Sequence, residues 1–186
     1  MNAIRRTAVR SFVLAVCAVL TAAGVKPAVP ARALPFDLGR VRLLDGPFKA
    51  AMDRDLDYMK SLDPDRLLHM FRVTAGLPSA AKPYGGWEKP DGELRGHSTG
   101  HFLSASALMS AATGDAVIKA RAEAVVAGLA ACQKALGSSG YVSAFPESFF
   151  DRVESVRPVW APYYTVHKIL AGLVAMAEHA GSREAL

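Results

Sequence analysis

Two histidines one helical turn apart, His97 and His101, stand in the stretch Leu94 to Ala112, LRGHSTGHFLSASALMSAA. At that spacing on a helix both imidazoles share a face, where they could ligate a metal, bond a sugar hydroxyl or hold an anion. A metalloprotease helix carries its glutamate directly after the first histidine, and here that position is Ser98. With no third ligand evident, the pair predicts no metal site and points to polar-ligand binding or to a structural role. A third histidine, His167, follows Tyr163, Tyr164 and Thr165 and poses the same choice. Trp87, Trp160, Tyr163 and Tyr164 fall in loops or at a helix start, where a flat face can stack on a ring and a polar tip can bond a hydroxyl. Their competing role is to plug loops against helices. Glu88, Asp91, Glu93, Glu147 and Asp151 are the loop carboxylates available for acid/base work, although spacing sets no two of them at the separation that glycoside hydrolysis needs. Neither acyl nor phosphoryl transfer is expected from the motifs.

These groups need a frame, and the frame reads as helical. From Leu94 to Ala112 no proline interrupts, Ser98 or Thr99 can cap the N-terminus, and Thr113-Gly114 stops the run. Ser104, Ala105, Ser106, Ala107, Ser110, Ala111 and Ala112 carry so little side chain that neighbours can approach from several sides, as suits an inner helix. Its polar groups, Arg95, His97 and His101, gather at one end beside backbone N–H groups that a helix leaves unpaired.

Along the chain, Phe36 to Leu44 predicts a short strand or extended lead-in. Asp45-Gly46-Pro47 turns into an amphipathic helix carrying Phe48, Met52, Leu56 and Met59, and Asp63-Pro64 starts another. Gly76 to Gly92, containing KPYGGWE, is a long loop of the kind that is functional or disordered, and its aromatics favour order. Asp115 caps a further helix running to Gly137, which must lie antiparallel to the one before it. Cys132 on that helix predicts a small buried thiol. Ser138 to Ser155 is irregular, with a hairpin or bent strand at Gly140–Pro146, and a last apolar helix runs through Ile169, Leu173 and Met176 to Gly181.

The chain echoes itself. His101 and His167 follow polar-aromatic lead-ins, open Ala-rich apolar helices and precede glycine stops. The predicted fold is therefore all-α, an incomplete (α/α)6 toroidal barrel of helical hairpins whose inner helices present their N-terminal ends to a common cleft.

Residues 1–33 form a different object: Arg5, Arg6 and Arg10, an apolar run from Phe12 to Ala23, and Ala31-Arg32-Ala33 as a small-x-small cleavage signature. This predicts a secretory signal peptide, with residues 34–186 as the mature part and a periplasmic or extracellular location. Five of the 22 basic residues and none of the 17 acidic ones lie in it, so the remainder carries 17 of each. A neutral mature chain has no electrostatic footprint for nucleic acid or for an anionic membrane. The abrupt finish, a helix stop followed by Ser182-Arg183-Glu184-Ala185-Leu186, predicts the front part of a longer protein.

In order, LLDGPF, PDRLLHMFR, AGLP, YGGWE, LRGHSTGHFLSA, AFPESFF and WAPYYTVHKILAGL resemble the N-terminal part of the β-L-arabinofuranosidases of glycoside hydrolase family 127. The resemblance implies an (α/α)6 barrel followed by β-sandwich domains, and removal of terminal L-arabinofuranose from plant-type glycans with retention of configuration. It implies a zinc-held cysteine thiolate as nucleophile and a glutamate as acid/base, both beyond Leu186; Cys132 sits in no matching motif. For these residues it implies the substrate side of the pocket, His167 foremost, with His101, His97, Trp87 and Tyr164 as further carbohydrate-binding candidates. Two rivals remain at this point. One is a polysaccharide lyase or unsaturated-uronyl hydrolase, for which Arg95 and Lys168 are the available cations; the other is a non-catalytic sugar-binding module.

Overall fold

One helix, apolar on almost every side, sets the arrangement of the rest. The computed structural model describes residues 33–186, and most of the proposed export signal therefore lies outside the described residues. Six α-helices occur among them: α1 Pro47–Ser61, α2 Pro64–Thr74, α3 His97–Thr113, α4 Ala116–Ala135, α5 Ser148–Glu154 and α6 Pro162–Ala180. No strand occurs among the described residues. Phe36 to Leu44 is a lead-in with a single 3-10 turn at Leu38–Arg40. Gly140 to Pro146 is an irregular loop rather than a hairpin, closed on itself by the Tyr141 hydroxyl donating to the Phe145 carbonyl at 2.6 Å. Part of the stretch expected to be irregular is helical, since α5 lies within it.

Helix starts follow the local chemistry. Pro47 and Pro64 occupy first positions, where a missing N–H costs nothing. The Asp63 carboxylate accepts from Asp65 N–H, and that of Asp115 from Val117 and Ile118. Only Gly114 and Asp115 separate α3 from α4, so the pair forms an antiparallel hairpin. Asp115 also takes the Lys60 ammonium, and Arg121 donates to the Leu62 carbonyl at 3.0 Å, which ties the end of α1 to the start of α4. The core gathers between α2, α3, α4 and α6 and includes Leu68, Phe71, Leu103, Ile118, Val125, Val126, Ile169 and Met176. Cys132 is sealed in it as a free thiol, and burial pushes its pKa up.

The two echoing helices are in direct contact and parallel. His97 lies beside Tyr164, Gly100 against Ile169, and Leu103 against Gly172, so position numbers rise together along α3 and α6. Glycine is required at this crossing: a methyl group on position 172 would stand 2.5 Å from the Gly100 carbonyl oxygen, and one on position 100 only 2.6 Å from Ile169 N. Both helices therefore open at the same end, and their first turns lie side by side. No helix among the described residues is long and apolar enough to cross a membrane.

Candidate functional site

The N-terminus of α3 is not capped by Ser98 or Thr99. Helical geometry already begins at His97, after Gly96 in the left-handed conformation, and the Thr99 hydroxyl turns away to donate to the Leu67 carbonyl at 3.1 Å. The cap comes from Glu88, eight residues upstream. Its carboxylate accepts from Gly96 N–H at 2.6 Å and from Ser98 N–H at 2.9 Å, and pairs with His97 Nδ1 at 2.7 Å. A negative charge at this helix end is favoured twice, by the exposed N–H groups and by the helix dipole.

Glu88 can reach because its loop is pinned. Arg66 on α2 donates to the carbonyls of Lys82 and Pro83 and stacks over the Tyr84 ring at 3.9 Å. A 3-10 turn at Gly86–Glu88 then aims Trp87 and Glu88 at the start of α3. Gly96 is equally constrained: its φ is 99°, and a Cβ there would meet Ala144 Cβ at 2.9 Å.

Above this cap four of the expected residues converge. His97, only 6% exposed, lies 5.8 Å from His101 edge to face, 5.9 Å from Trp87 and 6.3 Å from Tyr164. Trp160 joins through a T-shaped contact with Trp87 at 6.5 Å. His97 Nδ1 is shared between the Leu94 carbonyl, at 2.8 Å, and Glu88. Both partners are acceptors, so the proton sits on Nδ1, and Nε2 is the nitrogen left for a ligand. Lys168 extends over the Tyr164 ring at 4.9 Å. His101 is exposed at the helix surface, and partial desolvation, then Lys168 and His97, pull it below the ordinary imidazole pKa, against Glu88.

His167 is placed differently. It is exposed on α6, sharing a face with Tyr163 and Tyr164, and among the described residues no aromatic ring of the cluster packs on it. Lys168, one residue on, reaches the cluster beside Tyr164.

The carboxylates divide by task. Glu88 is occupied as described. Glu93 accepts from Arg152 at 2.6 Å and from Trp160 N–H at 2.7 Å; burial pushes its pKa up, but these two donors outweigh it and hold the group below the usual carboxylate range. Both are committed to structural partners, a role that spacing could not reveal because those partners lie up to 67 residues away. Arg95 is buried and donates to the carbonyls of Ala144 and Gly92.

Two catalytic patterns can be spelled in the chain, and the structure disarms both. Gly96 to Gly100 reads G-x-S-x-G, but a nucleophile elbow needs a strand before its serine, and Ser98 lies in the first turn of α3 with its N–H on Glu88. Ser79 to Lys82 reads S-x-x-K, but that spacing brings a lysine beside a serine only on a helix, and residues 79–82 are irregular.

The family model described as beta-L-arabinofuranosidase, GH127 catalytic domain, matches residues 40–186. The chain belongs to this family. No curated protein matches the sequence. Membership in the GH127 family implies a glycoside hydrolase and carbohydrate as its class of ligand. The zinc implied by the family resemblance does not fit the residues present: among the described residues no three of His, Cys, Asp and Glu converge on one point. Cys132, moreover, is walled in by apolar neighbours that disfavour a thiolate.

Proposed function

We propose that this chain forms the sugar-binding wall of an exported glycoside hydrolase of the β-L-arabinofuranosidase type, acting on terminal L-arabinofuranose of plant-type glycans. The carrying observation is the cluster of His97, His101, Trp87 and Tyr164 at the shared N-terminal end of two parallel helices. There a preset Nε2 stands among aromatic faces suited to a sugar's hydroxyls and C–H surfaces. The parallel contact of α6 with α3, itself one arm of the α3–α4 hairpin, supports reading the two as inner helices of a toroidal (α/α)6 barrel. The described helices are read as its first inner and outer members, and residues 1–33 as the export signal to the periplasm or beyond. His167, exposed on the Tyr164 face of α6, is kept in this reading as a further sugar contact. Of the two cations a uronic acid would call on, Arg95 is buried and donates to backbone carbonyls, while Lys168 stands at the cluster over Tyr164.

In this reading the nucleophile, the acid/base and the zinc are supplied from outside the described residues, and the chain by itself binds without cleaving. Isothermal titration of the full chain with methyl β-L-arabinofuranoside tests it. Binding is expected, weakened at least about tenfold in His97→Ala by loss of a polar contact and its packing. Absence of binding, or equal affinity in the variant, would refute the pocket. Release of aryl alcohol from an aryl β-L-arabinofuranoside by the chain alone would refute the division of labour.

A further inference from the structure

Trp87 and Trp160, the only two tryptophans of the chain, meet edge to face at the mouth of the cluster while remaining 66% and 51% exposed. Two large apolar faces left side by side in water are unfavourable unless something covers them. The chain also commits polar groups to keep them there. Glu93 grips Trp160 N–H with one oxygen and Arg152 with the other. Arg152 reaches on to the Pro158 carbonyl, fastening both ends of the segment that carries Trp160. The next residue, Ala161, is held in the left-handed region directly before Pro162, a conformation that alanine avoids. None of this serves the core, since the indole it positions stays outside.

We propose that Trp87 and Trp160 form an outer sugar-stacking subsite, and that Glu93 is the positioning residue that assembles it through Arg152 and the Trp160 backbone. The proposal rests on the carbohydrate-binding reading above and adds a second ring to it. The innermost ring sits at His97 and His101, and the next ring of a neutral glycan enters the corner between the two indoles, one face on one indole and its rim on the other. At the corner the Glu93 carboxylate is paired with Arg152, and the Lys168 ammonium is held over the Tyr164 ring.

Two indoles this close couple their electronic transitions, so the pair should give an exciton couplet in the ultraviolet circular dichroism spectrum of the full chain. The couplet is expected to vanish in Trp87→Phe and Trp160→Phe and to collapse in Glu93→Ala with the helical signal intact. Glu93→Gln, which keeps an acceptor for Trp160 N–H, should restore part of it. Affinity is read with methyl β-L-arabinofuranoside as the one-ring probe and a β-L-arabinofuranosyl disaccharide as the two-ring probe. Trp160→Ala should weaken the two-ring probe about fivefold and leave the one-ring probe unchanged. Trp160→Ala leaves Glu93 and Arg152 in place, so it reads the subsite even if Glu93→Ala unfolds. A couplet that persists in Glu93→Ala overturns the positioning role. Equal affinity of wild type and Trp160→Ala for the disaccharide, with both probes bound, overturns the subsite alone. Failure of wild type to bind either probe overturns the carbohydrate reading and the subsite with it.

Discussion

Gly172 faces the Gly100 carbonyl across the contact between α3 and α6 so closely that a methyl group on position 172 would stand 2.5 Å from that oxygen. The two helices touch backbone to backbone, and this contact sets their first turns side by side and so gathers His97, His101 and Tyr164.

Gly100→Ala and Gly172→Ala should each destabilise the protein by about 2–3 kcal/mol in urea denaturation, since backbone cannot step aside as a side chain can. The gain of about 1 kcal/mol in helix propensity is outweighed. Gly128→Ala is the comparison: its Cβ would meet the Leu68 side chain, at 2.8 Å from one methyl, and a side chain can rotate. It should cost less. An unchanged denaturation midpoint in Gly100→Ala would mean that the helices are not in contact at this point.

Glu88 serves three donors, so its loss should be felt in stability and in ring chemistry. Glu88→Gln is expected to cost about 1–3 kcal/mol, because an amide has one acceptor oxygen and turns an NH2 group toward donors. Imidazole nitrogen NMR of the wild type should show the Nδ1-protonated form of His97. A predominantly Nε2-protonated ring there would contradict the geometry, whatever the stability result.

His101 supplies a pH dependence with a definite sign. Its folded-state pKa lies below the ordinary imidazole value, chiefly through partial desolvation and then through Lys168. Between the lowered and ordinary values the unfolded chain binds more protons. The contribution to stability is thus complete above the ordinary pKa and is lost as pH falls through the lowered one. Lys168→Met should raise the His101 pKa in an NMR titration without returning it to the ordinary value, since the desolvation remains. No change on removing Lys168 would show that the ammonium does not face the ring.

Much of the architecture was legible along the chain because it is local. Pro47, Pro64 and Asp115 mark helix starts within a few residues of the groups they serve, and Gly114 and Gly181 mark stops in the left-handed conformation. The recurrence of His101 at His167 located two equivalent helices, and the family motifs located their kind. Other features depended on partners far away in sequence. Ser98 and Thr99 have the right chemistry to cap α3, yet a carboxylate arriving from another loop offers charge as well as an acceptor and takes the position. Glu88 and Glu93 look like free acids when read in line and are committed to structural partners when folded.

The sequence by itself determined the helices, their order, the hairpin of α3 and α4, and the family, since propensity, caps and motif order act over short separations. Only the tertiary structure decided which side chains share the site. Two glycines let α3 and α6 meet as backbones, and that contact aligned Tyr164 with His97 and left His167 outside the ring cluster.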